Sequence, residues 1–203
     1  PTEGTTFVRQ AQVRYTSGPF SVALENPQTL ANAYRATTRT ISDDGSLPDL
    51  TARWTTKGDW GHVSVAGIAR QLRHDTATTS ASDTGYGVSV SGKYNLGKSD
   101  DVRYMLTAGR GIGRYVAFGL GADGVLDATG GELDGIGVLA GFVSWRHVFN
   151  PKLRGNLMFS RAQLDNDTDW TGFGVTESAQ SVHANLIYSP FPKLDIGAEL
   201  IWG

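Results

Sequence analysis

The feature that most constrains this chain is an alternation of apolar and polar side chains, two residues in period, that runs almost from one end to the other. A period of two places successive side chains on opposite faces of a strand, whereas an amphipathic helix needs a period of 3.6. Within 8–16, Ala11, Val13 and Tyr15 fall on one face and Gln10, Gln12 and Arg14 on the other; Phe20, Val22 and Leu24 then alternate with Ser21, Ala23 and Glu25. The same pattern sets Leu50, Ala52 and Trp54 against Asp49, Thr51 and Arg53, and Val102, Tyr104 and Leu106 against Arg103, Met105 and Thr107. It returns in Leu153, Leu157 and Phe159 against Arg154, Asn156 and Ser160, and in Val182, Ala184 and Leu186 against Ser181, His183 and Asn185. Residues 137–148 are more uniformly apolar, yet Val143 and Trp145 still oppose Ser144 and Arg146. The pattern predicts an all-β, antiparallel fold of about ten strands, several near the ~9–11 residues that a tilted strand needs to cross a bilayer.

Alternation alone also suits a soluble sandwich, so the connections matter. Short ones carry turn residues: Ser17-Gly18-Pro19, Lys57-Gly58-Asp59, 96–100, Asn150-Pro151-Lys152 and 189–193. Between them lie long polar stretches at 26–46, 73–84, 109–133 and 164–176. Short turns at one end and long loops at the other are the mark of a transmembrane β-barrel. A sandwich has no reason to lengthen every second connection. Aromatic residues also gather beside the short turns, among them Tyr15, Phe20, Trp54, Trp60, Tyr94, Trp145, Phe149 and Phe191. An interfacial girdle accounts for them, because ring bodies favour the apolar edge of a bilayer while indole and phenol groups reach the headgroups.

Several classes are excluded. No stretch approaches the ~18 consecutive apolar residues of a membrane helix. The formal charge of -2 gives no global basic field, so nucleic acid is not expected as a partner. Cysteine is absent, which removes disulfides, thiol catalysis and cysteine-ligated metals. No cofactor is implied. The four histidines, His62, His74, His147 and His183, show no metal-ligand spacing. The whole of 1–203 reads as one barrel segment. Both ends fall on the long-loop side, which implies at least one more strand beyond each.

At this point the residues themselves become informative. Val13-Arg14-Tyr15-Thr16-Ser17-Gly18-Pro19-Phe20, continuing through Ala23-Leu24-Glu25-Asn26-Pro27, resembles a strand-turn-strand of the DcaP-like trimeric outer-membrane porin family. The turn at Asn150-Pro151-Lys152-Leu153-Arg154 and the strand through Asp195-Ile196-Gly197-Ala198-Glu199 are similar to that family too. The resemblance implies a porin in a larger barrel of about sixteen strands, a homotrimer held in outer-membrane lipids, with a lumen suited to small anionic solutes such as dicarboxylates.

A channel needs no catalytic group; it needs wall charges that lower the barrier for one class of solute. On the alternation, Arg14, Arg53, Arg103, Arg146 and Arg154 face the lumen near short turns and form a basic cluster toward the periplasmic half. Guanidinium groups stay charged and grip carboxylates bidentately, so such a cluster would attract anions. The alternative is that these arginines pair with Asp49, Asp195, Glu199 or loop carboxylates and only brace the wall. The glycine-rich stretch 109–133, with Arg110, Arg114, Asp123 and Asp127, is the expected loop folded into the pore. Gly119, Gly121 and Gly124 match a dinucleotide-binding spacing but lack the strand and helix around it. Asp165, Asp167 and Asp169 imitate a calcium loop, yet Trp170 replaces its glycine. An outer-membrane hydrolase and a soluble binding sandwich remain as other readings.

Overall fold

Where the side chains alternate, the backbone runs extended. The computed structural model describes residues 2–203, and its strands in chain order are β1 (Gln12–Ser17), β2 (Phe20–Glu25), β3 (Thr29–Asn32), β4 (Arg39–Ser42), β5 (Asp49–Gly58), β6 (Gly61–Asp75) and β7 (Ser80–Leu96). They continue with β8 (Asp100–Arg110), β9 (Gly124–Leu126), β10 (Leu133–Gly135), β11 (Gly137–Asn150), β12 (Leu153–Asp165), β13 (Ser178–Phe191) and β14 (Leu194–Trp202). Ten of these form one antiparallel sheet in the order β1-β2-β5-β6-β7-β8-β11-β12-β13-β14. The predicted all-β, ten-stranded antiparallel architecture is therefore observed.

At one end of this sheet every connection is a tight turn, at 18–19, 59–60, 97–99, 151–152 and 192–193. Gly18 sits at φ 55° in the first of them, a left-handed conformation that a Cβ disfavours. At the other end, three of the four expected long connections are found. The fourth expectation is corrected: 73–84 is no loop, because β6 and β7 continue pairing to Asp75↔Ser80. A four-residue turn joins them, closed by Thr76 and Thr79. Its polar residues looked like loop, but they are the outer ends of long strands. Residues 8–11 also depart from expectation, since β1 begins only at Gln12.

The two faces of the large sheet differ completely. Val22, Leu24, Leu50, Val88, Leu106, Val143, Leu157, Leu186 and Leu200 point to one face and are exposed. An apolar surface of that extent is stable only against another apolar phase. Among the described residues nothing covers it, whereas the second sheet of a soluble sandwich would. On the opposite, inner face many residues are small or polar: Ser21, Ala23, Asp49, Thr107, Ala140, Ser160 and Ser181 are buried beneath segments folded onto them.

Three segments make that inner layer. The first long loop supplies β3 and β4, the loop at 111–136, third of the four expected stretches, supplies β9 and β10, and together they form a small sheet ordered β10-β9-β3-β4 with β3 and β9 parallel. Their hydrophobic anchor is Ile112, Tyr115, Val116, Ala122 and Ile136 packed on Val138, Ala140, Ala162 and Leu164. Ile112 lies so close to the wall that a Cβ at Gly87 or Gly109 would come within 2.7 Å of its Cδ1. The third segment is 2–11, which crosses the inner wall. The amide of Gly4 donates to Ser160 Oγ at 2.7 Å, Thr6 and Thr107 share a hydroxyl bond at 2.7 Å, and Gln10 Nε2 donates to Glu25 at 2.6 Å.

Candidate pore lining and constriction

Inside the sheet the arginines fall into two groups, separated by height. The outer group is anchored by Arg70, which takes its place in the inward alternation Ala66, Ile68, Arg70, Leu72 on β6. Its side chain is fully buried, 3.1 Å from Asp49 Oδ2 and 3.0 Å from Asp123 Oδ1. It also donates to the carbonyls of Gly111, at 3.0 Å, and Gln28. Arg114 is buried beside it and donates to the carbonyl of Gln28 and to Gln10 Oε1. Both guanidinium carbons stand 5.3 Å from the Tyr115 ring centroid, and the Tyr115 hydroxyl donates to Asp49 at 2.7 Å. Cation–π contact is favoured in such a water-poor setting.

This network joins four parts of the molecule: the wall through Asp49 and Arg70, the first loop through Gln28, the third through Arg114 and Asp123, and the crossing segment through Gln10. Asp123 accepts from the amides of Arg114 and Leu30, each at 2.8 Å, and so closes the loop onto β3. Burial pushes its carboxyl above the usual range, against the pull of Arg70 and those amides. The Tyr115 phenol is raised as well, by burial first and then by the Asp49 carboxylate. At the outer rim, Arg110 bridges Asp83 and Asp134 at 2.6 Å each and so clamps β10 to β7. Arg110 and Arg114, both expected to line the pore and bind anions from the folded-in loop, are thus committed to carboxylates, carbonyls and Gln10, and Arg110 is the last residue of β8, outside that loop.

The lower group lies toward the short turns, and its five members are not equivalent. Arg103 and Arg146 share Asp101, at 2.9 and 2.6 Å. Arg154 binds Asp195 at 2.8 Å and Ser189 at 2.9 Å. Among the described residues, Arg14 donates only to Gln12 Oε1, at 2.9 Å, and Arg53 makes no side-chain hydrogen bond or ion pair. Both line one cavity of about 410 Å³ between the crossing segment and β1, β2, β5, β6 and β7, with Gln10, Gln12, Glu25 and Thr51 around it. Glu25 is itself occupied by Gln10 and by the Thr51 hydroxyl at 2.8 Å. The cavity therefore holds two exposed cations that no carboxylate neutralises directly.

Of the carboxylates expected to pair with the lower arginines, Asp195 does so, Asp49 serves Arg70, and Glu199 stands 3.4 Å from His183. Asp101 was missed because Asp100-Asp101 follows directly on a turn and reads as turn sequence. Ser181, His183 and Glu199 lie in series at 3.0 and 3.4 Å. The Ser181 hydroxyl, however, donates to Glu3 at 2.6 Å and is not poised as a nucleophile.

The motif look-alikes resolve simply. Asp167 caps a single helical turn, α1 (Thr168–Thr171), accepting from the amide of Asp169 at 2.9 Å. No group of three or more metal-ligating side chains occurs among the described residues. Gly121 packs against Leu164, and Gly124 opens β9 with no helix after it.

No protein-family model matches the sequence, and no curated protein does. Among solved structures, the crystal structure of the outer membrane channel DcaP of Acinetobacter baumannii superposes with a TM-score of 0.78 at 23% sequence identity. The match covers 98% of this chain and 56% of that one, so the chain spans just over half the length of the channel it matches. The antiparallel sheet with its inward-folded loops thus has the fold of the DcaP outer-membrane channel.

Proposed function

We propose that this chain builds the wall and constriction of a water-filled channel in the bacterial outer membrane, and that the channel passes small organic anions such as dicarboxylates. The observation that carries the reading is the contrast between the bare apolar outer face and an inner face where Arg14 and Arg53 project into one 410 Å³ cavity without a carboxylate of their own. Uncompensated guanidinium groups lower the energy of an anion that has shed part of its water, and their fork geometry suits a carboxylate. The inward-folded segments narrow the passage, so a solute must travel close to these charges.

The likeness of fold to an outer membrane channel supports the membrane location, and the homotrimer and the dicarboxylate class rest on the sequence resemblance. A planar bilayer with a salt gradient tests the selectivity. The expected reversal potential has the sign of anion preference, and a cation-selective pore would remove the proposal. Liposome swelling with a dicarboxylate against a neutral sugar of equal size then tests the solute class.

A further inference from the structure

The outer surface carries an arginine that the channel reading does not use. On β12 the outward positions run Leu153, Gly155, Leu157, Phe159, Arg161, Gln163 and Asp165, so on this strand the apolar band stops at Phe159 and Arg161 stands at its outer edge, with no ion pair to Asp165 at the strand's end among the described residues. Arg161 is exposed, and among the described residues the only hydrogen bond of its side chain is a long one to Gln163 Oε1, at 3.4 Å. Directly beside it a groove of about 290 Å³ opens on the same face, walled by Leu106, Leu139, Val143 and Phe159. Its floor is Gly141, the cross-strand partner of both Arg161 and Leu106. A Cβ there would come 2.6 Å from the carbonyl oxygen of Met105. The strands involved, β8, β11 and β12, are each paired on both sides, so the groove is not a product of a sheet edge.

At the opposite rim of this face a charged group has its hydrogen-bond partners. There His147 meets Asp100 at 2.8 Å, and the Trp145 indole donates to the same carboxylate at 2.8 Å. Asp100 at the short-turn rim is thus held by two side chains, whereas Arg161 at the long-loop rim stands beside an apolar slot. An isolated arginine at the margin of a hydrocarbon layer is costly unless an anion meets it.

We infer that Arg161 and the groove below it bind a phosphorylated lipid of the outer leaflet, its phosphate on the guanidinium and an acyl chain over Gly141. The phosphate supplies the missing counter-charge, and the chain covers Leu106, Leu139, Val143 and Phe159. The inference rests on the apolar face being lipid-facing, as the proposed function requires.

The test is native mass spectrometry of the purified protein in detergent, with diphosphoryl lipid A or its dephosphorylated form as the probe. Retention of the diphosphoryl lipid is expected, with little of the dephosphorylated one. Replacing one charge-assisted contact, as in R161Q, should weaken retention about tenfold. R161K keeps the charge without the fork and should fall between. V143W fills the groove and should lower retention while Arg161 is intact. Equal retention of both lipids, or wild-type retention by R161Q, would overturn the site. So would loss of oligomers in R161Q with no lipid retained by the wild type, which would make this face a contact between copies. Failure of the membrane reading itself would look different: the wild-type protein would stay dispersed without detergent.

Discussion

The outer and inner ends of the lumen wall use arginine in opposite ways. Toward the long loops, Arg70, Arg110 and Arg114 are committed: each reaches two or more carboxylate, carbonyl or amide oxygens, and Arg70 is wholly buried. Toward the short turns, three arginines are paired and two, Arg14 and Arg53, stand over open space. Arginine serves the first region as a fastener for inward-folded segments and the second as a source of positive potential. The difference follows from what surrounds each side chain. Where loops pack on the wall, water is excluded and a charge must be paired; where the wall faces a cavity, solvent can carry it.

The largest effect should come from breaking the fastener. Arg70→Met removes the shared partner of Asp49 and Asp123, leaving two buried carboxylates without it. Such a loss costs roughly 3–5 kcal/mol. Thermal unfolding in detergent should fall accordingly, and single-channel conductance should rise as the loops loosen. The triple variant R70M/D49N/D123N should recover much of the stability, because the stranded charges go together. A wild-type melting profile for R70M alone would erase the distinction between the two regions.

Next in size are the free cations. R14Q/R53Q should move the reversal potential most of the way toward zero, while R154Q, already neutralised by Asp195, should move it far less. Equal effects would mean that all lower arginines contribute alike, and the comparison would fail there. A smaller shift should follow D101N, which releases Arg103 and Arg146 together and raises anion preference. Both of those arginines remain partly solvated, at 50% and 34% exposure, so pairing with Asp101 screens them only in part.

The sheet was legible in the sequence because its rule is local. Each strand announces its faces through its own alternation, and each tight turn through glycine, proline or asparagine, so strand number, direction and outward residues could be read without knowing any neighbour. The constriction was not legible in the same way. That 109–133 folds inward could be guessed from its glycines, but the part played by 2–11 could not, since Gln10 and Ala11 fit the alternation of β1 and yet leave the sheet. Pairing between charges is the least local property of all. Nothing near Arg70 in the chain points to Asp123, 53 residues later, and Asp101 looked like part of a turn. Position along a strand therefore showed which arginines face inward, while only the fold could separate the committed from the free.

The smallest effect sharpens the limits of the fastened region. Asp127 lies at the tip of the third loop, outside the buried network. The Thr129 hydroxyl, at 2.6 Å, and the amides of Glu132, Thr129 and Gly131 lower its carboxyl to about 2. A carboxylate held below its ordinary value of about 4 adds stability above that value and loses it as the pH falls toward about 2. The amides of Gly131 and Glu132, which Asp127 accepts at 2.8 and 3.0 Å, should therefore exchange faster across that window, after correction for intrinsic rates. D127N should show the faster exchange at every pH in it. The amides of Leu30 and Arg114, bound to buried Asp123, should keep their protection while the tip opens. If they exchange together with the tip, loop and brace are one cooperative unit, and the fastened region reaches farther than its buried arginines.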